Sequence, residues 1–188
     1  MRRFRVNIKD GEMAGIAFGD PIRPIEILFL HATGFNGITY QSLLEPLGGQ
    51  MHAAAIDLRG HGRTRLPAKP GRMKSWNRFR DDVIQVLEQT APKGAVLGGH
   101  SMGATVALLV AAKRPDLVRG LVLADPVLLK PVQYRWLNIP LLNMTVGKNA
   151  LSKGALRRRN EFASPAEAAE QLRGRGAFKT WRQPFLED

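Results

Sequence analysis

The chain has 188 residues, enough for a substantial core, and 44% of them are hydrophobic, as in an ordinary folded globular protein. It has no cysteine, which excludes disulfides and cysteine-based metal sites; no metal or other cofactor is expected. The 28 Lys and Arg against 16 Asp and Glu give a net charge of +12, but the basic residues are spread along the chain with one local run at 153–159 and no recognition module beside it, so no nucleic-acid partner is expected.

The start, Met1-Arg2-Arg3-Phe4-Arg5-Val6, is basic but leads into no apolar core of a signal peptide. No apolar stretch approaches the roughly 18 residues of a membrane helix, so no span is expected and the cytoplasm is the default location. Phe4 to Ile8 and Met13 to Phe18 predict two short strands joined at Asp10-Gly11, a hairpin signal. Ile25 to Leu30, ending at His31, is an apolar run that reads as a strand buried on both faces. Thr39 to Leu47 predicts a short helix with Tyr40, Leu43, Leu44 and Leu47 on one face, closed by Gly48-Gly49. Met51 to Leu58 predicts the next strand, and a loop rich in Gly, Pro and Arg follows from Arg59 to Lys74.

Ser75 is positioned to cap a helix reaching Gln89, with Trp76, Phe79, Val83, Val86 and Leu87 at helical spacing. Ala95 to Leu97 predicts a very short strand. Met102 to Arg114 is apolar almost all round, which predicts a central, covered helix ending before Pro115. Val118 to Ala124 predicts another strand. A hairpin followed by alternating strands and helices implies an α/β fold with a mostly parallel sheet and flanking helices. After Pro126 the prolines recur, at Pro131 and Pro140, and strand alternation is lost. Ser164-Pro165-Ala166-Glu167 then combines an N-cap, a first-position proline and a capping-box glutamate, predicting a helix to about Arg173 that stops at Gly174.

The chemistry concentrates at Gly99-His100-Ser101-Met102-Gly103, a G-x-S-x-G pattern between a predicted strand and a predicted buried helix. A sharp strand-to-helix turn holds the serine in a strained conformation with its hydroxyl above the sheet. Glycines two residues away on either side remove side chains that would clash across the turn. The helix N-terminus adds positive potential where an oxyanion would form. The plainer alternative is a Gly/Ser-rich turn with no catalytic role.

Three segments in this order resemble the α/β-hydrolase family. Leu30-His31-Ala32-Thr33-Gly34-Phe35 resembles its His-Gly loop, with Ala32 in place of the usual glycine. Asp57-Leu58-Arg59-Gly60-His61-Gly62-Arg63 resembles its D-x-R-G-H-G loop, and Gly99 to Gly103 its nucleophile elbow. Val118 to Pro126 is similar to its sixth strand. The resemblance implies residues 1–126 as the N-terminal part of a hydrolase core and 127–188 as a partial helical lid. It implies Ser101 as nucleophile and the backbone N–H groups of Met102 and Thr33 as the oxyanion hole. His31, Gly99, His100 and Gly103 support these motifs.

In that family the triad runs Ser, then Asp or Glu, then His. Here the four histidines, His31, His52, His61 and His100, all lie at or before residue 100. The expected explanation is truncation before the catalytic acid and histidine. His100 should face away from Ser101, because neighbours on a strand point to opposite faces. His31 is expected to brace its loop and His61 to tie its own; His52 shows no partner. Asp125, at the end of the sixth strand, is a candidate acid, although capping of the turn before Pro126 is the favoured role.

The resulting expectation is a serine hydrolase of the esterase type, impaired in this chain, acting on a small acyl substrate through an acyl-enzyme. Esters, thioesters, lactones, amides and certain carbon–carbon substrates stay open, with Trp136 and Leu137 expected along the pocket. The alternative is a non-catalytic remnant or binding domain. An apolar sixth strand without a further neighbour is expected to expose its edge and to favour self-association.

Overall fold

A computed structural model describes residues 1–69, 75–128 and 162–188. The chain divides into two compact units, Met1–Val127 together with Asp188, and Leu128–Glu187. In the first unit, β1 (Arg2–Ile8) and β2 (Gly11–Phe18) form the expected hairpin, in register from Arg2 opposite Ala17 to Ile8 opposite Gly11. β3 (Ile27–Leu30), β4 (Ala53–Ile56), β5 (Ala95–His100) and β6 (Val118–Ala124) complete a six-stranded sheet in the order β1-β2-β4-β3-β5-β6. β1–β2 and β2–β4 pair antiparallel, and the other neighbours pair parallel.

Alternation along these strands sorts the core into two layers. Leu28, Leu30, Ala54 and Ile56 point to one face, where they pack with Phe79, Val83 and Val86 of α2 (Asn77–Thr90) and Val106, Ala107 and Val110 of α3 (Met102–Lys113). Phe29 and Ala55 point to the other, against Ile16, Phe18, Tyr40 and Leu44. Burying both faces explains why the segment of β3 reads as an apolar run.

Several local expectations are corrected. The segment after β3 is a chain of short turns: a 3₁₀ turn (Ile38–Tyr40), one α-helical turn, α1 (Gln41–Leu44), and a second 3₁₀ turn (Glu45–Gly49). Pro46 interrupts the expected helix, so Leu43 and Leu47 rotate out to solvent while Tyr40 and Leu44 stay buried. Ser75 does not cap α2; the N-cap is Trp76, without a side-chain bond. β5 runs through Gly98 and Gly99 to His100, because pairing with β3 and β6 outweighs the weak strand preference of glycine. Leu108 and Leu109 of α3 are only half-buried, so that helix is not covered all round.

In the second unit, α4 (Pro165–Leu172) starts as its sequence demands: Ser164 Oγ accepts from the Glu167 N–H at 3.1 Å. The Glu167 carboxylate reaches back to the Ala163 N–H at 2.6 Å, one residue before the cap itself. Trp136, Leu137, the prolines at 131 and 140 and the basic run at 153–159 lie outside the described residues. No helix among the described residues is long and apolar enough to cross a membrane.

Candidate active site

β5 delivers Ser101 to the site. Ser101 has φ 53° and ψ −114°, and α3 starts at the next residue. Among the described residues only Ser101 and Asp125 are non-glycine residues at positive φ. Such a backbone costs on the order of 1–3 kcal/mol and persists only where the surroundings enforce it. Here the enforcing contacts are visible. The Ser101 N–H donates to the Ala124 carbonyl of β6 at 2.9 Å, and the Ser101 carbonyl accepts from the Thr105 N–H at 3.1 Å. A Cβ on Gly99 would sit 2.6 Å from the Ala104 nitrogen, and one on Gly103 only 2.1 Å from the Leu30 carbonyl oxygen. Both motif glycines are therefore needed for close approach of backbone to backbone. Ser101 is half-buried, and its hydroxyl makes no hydrogen bond among the described residues. The N–H groups of Met102 and Gly103 open α3 and by position have no intrahelical acceptor.

The loop after β3 meets this turn. The Thr33 hydroxyl lies 3.3 Å from Met102 Sδ, so the two expected oxyanion residues are brought into contact. His31 is fully buried: Nε2 accepts the Leu58 N–H at 2.9 Å, and Nδ1 donates to the Ala32 carbonyl at 2.8 Å. These bonds fix one neutral tautomer, and burial pushes the imidazole down to about 4. His31 thus braces its loop and is no free base. The Ala32 carbonyl also accepts from the Phe35 N–H at 3.1 Å. In a trans peptide the following N–H points opposite to the carbonyl, so anchoring the Ala32 oxygen sets the direction of the Thr33 N–H.

A family model described as the alpha/beta hydrolase family matches residues 27–188, most of the chain. The chain belongs to the alpha/beta hydrolase family. It is 36% identical over 99 residues to a 2-(acetamidomethylene)succinate hydrolase of Mesorhizobium japonicum, covering 53% of this chain and 34% of that protein. It is 34% identical over 99 residues to the esterase Rv0045c of Mycobacterium tuberculosis, covering 53% of this chain and 32% of that one. Each of these matches spans about a third of the relative's length. Among solved structures, the thioesterase domain from the curacin biosynthetic pathway superposes with a TM-score of 0.75 at 24% identity, over 100% of this chain and 65% of that domain, a likeness of fold.

Within this alpha/beta hydrolase the remaining histidines are engaged elsewhere. His61 Nδ1 donates to the Arg59 carbonyl at 3.0 Å, tying its own loop. His52, which showed no partner in the sequence, is buried; its imidazole meets the Arg23 carbonyl at 2.7 Å and the Arg2 guanidinium at 3.2 Å, and Glu26 accepts its backbone N–H at 2.9 Å. These partners are distant in sequence, so local reading missed them. His100 Nδ1 lies 2.8 Å from the Tyr40 hydroxyl. None of the four imidazoles bonds the Ser101 hydroxyl. Asp125 directly follows the β6 residue whose carbonyl holds the Ser101 amide. Its carboxylate makes no hydrogen bond among the described residues, so the favoured capping of the Pro126 turn is not observed there. Among the described residues no three His, Asp or Glu side chains converge as metal ligands.

The D-x-R-G-H-G loop is structural. Asp57 is buried and accepts the Gly37 and Arg63 N–H groups, both at 2.7 Å. A Cβ on Gly62 would lie 2.2 Å from that carboxylate. Arg59 is also buried and makes a two-point pair with Asp82 of α2, at 2.6 and 2.7 Å. Arg59 further donates to the Pro67 carbonyl at 2.8 Å and to Asp10 at 3.1 Å. Asp82 escaped the sequence reading; the available signal was an acid placed among Phe79, Val83 and Val86 on the apolar face of α2.

Proposed function

We propose that this chain carries the nucleophile and oxyanion half of a serine hydrolase acting on a small ester-type or related acyl substrate. The observation that supports it best is the backbone of Ser101, held at positive φ between β5 and α3 with its hydroxyl unbonded among the described residues. Ser101 Oγ attacks the substrate carbonyl as its proton passes to solvent water, and the Met102 and Thr33 N–H groups take up the oxyanion. Collapse of the tetrahedral species expels the leaving group as the acyl-enzyme forms, and water then releases the acid. The hydrolase and esterase names of the relatives agree with acyl chemistry.

Acylation requires a base for the serine proton, and none of the four imidazoles is bonded to Ser101. Activity of this chain by itself is accordingly weak, limited to what oxyanion stabilisation and binding supply. The same observation favours a second reading, a non-catalytic domain that binds an acyl compound without turning it over.

A fluorophosphonate probe separates the two. The serine-hydrolase reading expects slow covalent labelling that disappears in Ser101→Ala. Absence of label on the parent chain would leave the binding domain as the surviving reading.

We also propose self-association through β6. Among the described residues no strand pairs its outer edge, and Leu121 and Val122, on opposite faces, are 38% and 63% exposed. An apolar edge with open backbone groups invites a second strand. Sedimentation velocity should show a concentration-dependent dimer that Val122→Lys shifts to monomer. A parent chain monomeric at every concentration would dismiss this.

A further inference from the structure

Tyr40 touches both the oxyanion loop and the nucleophile strand through a single oxygen. Its hydroxyl accepts the Ala32 N–H at 3.1 Å, and the same oxygen lies 2.8 Å from His100 Nδ1. The direction of the second bond follows from counting protons. If Tyr40 donates to Nδ1, all three groups are satisfied, with His100 neutral and its proton on Nε2. If His100 donated instead, the phenol proton would have no acceptor among the described residues. The ring is fixed independently of these bonds. It is buried and packs against Phe29 of β3 at a centroid distance of 4.5 Å, with Phe35 of the loop at 6.5 Å.

We propose that Tyr40 is a positioning residue, whose hydroxyl locks the oxyanion loop to the strand that carries Ser101. This rests on the serine-hydrolase reading above and adds a device to it. Ala32 is pinned at both of its backbone groups, the N–H by Tyr40 and the carbonyl by His31 and the Phe35 N–H. Two fixed ends leave its peptide planes little freedom, and the second of those planes contains the Thr33 N–H. Alanine where the resembling motif has glycine restricts the same residue further. His100, the other end of the bridge, immediately precedes Ser101. Loop and nucleophile are therefore set relative to one another through a connection two hydrogen bonds long. Oxyanion stabilisation requires donors placed to a few tenths of an ångström before the charge forms, so loosening this bridge should slow acylation more than it weakens binding.

Tyr40→Phe removes the hydroxyl and keeps the ring. The experiment measures the concentration dependence of fluorophosphonate labelling at Ser101, together with amide hydrogen exchange across residues 31–35, on the parent and variant chains. The expected result is a maximal labelling rate about thirtyfold lower, a half-saturating probe concentration changed less than threefold, and faster exchange at Ala32. A Tyr40→Phe chain that labels at the parent rate overturns the positioning role and leaves the serine-hydrolase reading standing. So does slower labelling with exchange at residues 31–35 unchanged. A parent chain that takes no label overturns both.

Discussion

Gly103→Ala is expected to destabilise the fold by about 3 kcal/mol or more and to remove probe labelling even from the molecules that still fold. The added methyl would stand 2.1 Å from the Leu30 oxygen, 2.5 Å from the Leu30 carbonyl carbon and 2.7 Å from the His31 oxygen. All three are backbone atoms of β3 and the residue after it. No side-chain rotation relieves the clash, so α3 must lift away from the sheet. Lifting α3 moves the Met102 amide and unwinds the turn that holds Ser101. Gly49→Ala is the control. Nothing lies within 4 Å of a Cβ there, and the change should stay within about 0.5 kcal/mol. Urea unfolding midpoints and fluorophosphonate labelling report the two effects separately. A Gly103→Ala chain as stable and as reactive as its parent would show that α3 and β3 are not in the contact described here.

Asp82→Ala should cost about 3–5 kcal/mol, because it leaves the Arg59 guanidinium buried with its principal partner gone. Both side chains are almost fully enclosed, at 3% and 2% exposure. The pair joins α2 to the loop after β4, and Asp10 extends it to the hairpin turn, where it also meets Arg78. Three segments far apart in sequence are thus held by one cluster of charge. The apolar double variant Arg59→Met with Asp82→Leu should recover most of the loss, since the large penalty belongs to an orphaned charge rather than to a missing pair. Glu88→Ala, which cuts the exposed pair with Arg114, should leave the unfolding midpoint almost unmoved. An Asp82→Ala chain no less stable than Glu88→Ala would refute the buried-pair assignment.

These two variants probe different kinds of information. Gly103 was visible in the sequence, because its function is local: the spacing of glycines around Ser101 is itself the requirement of a tight turn. Asp82 was not, because its meaning depends on Arg59 arriving from another element.

The same division runs through the fold. The hairpin, the buried parallel strands, α2, α3 and the capped start of α4 follow from periodicities and caps spanning only a few residues. Where the local signal was incomplete, the boundaries moved. Pro46 broke the expected helix into turns, and Gly98 and Gly99, weak strand formers, were drawn into β5 by neighbours on both sides.

At the site, the sequence alone showed a G-x-S-x-G turn between a strand and a helix at Ser101, with all four histidines of these 188 residues before it. Tertiary structure decided the rest: the four imidazoles are engaged away from the Ser101 hydroxyl, the His52 imidazole has two partners, and Tyr40, which read only as part of an apolar face, bridges Ala32 and His100. The reason is physical. Turn geometry and strand alternation are set by sterics between near neighbours in the chain, whereas a buried polar group must find its hydrogen-bond partner wherever folding brings one, and that partner can lie 60 residues away, as His100 does from Tyr40.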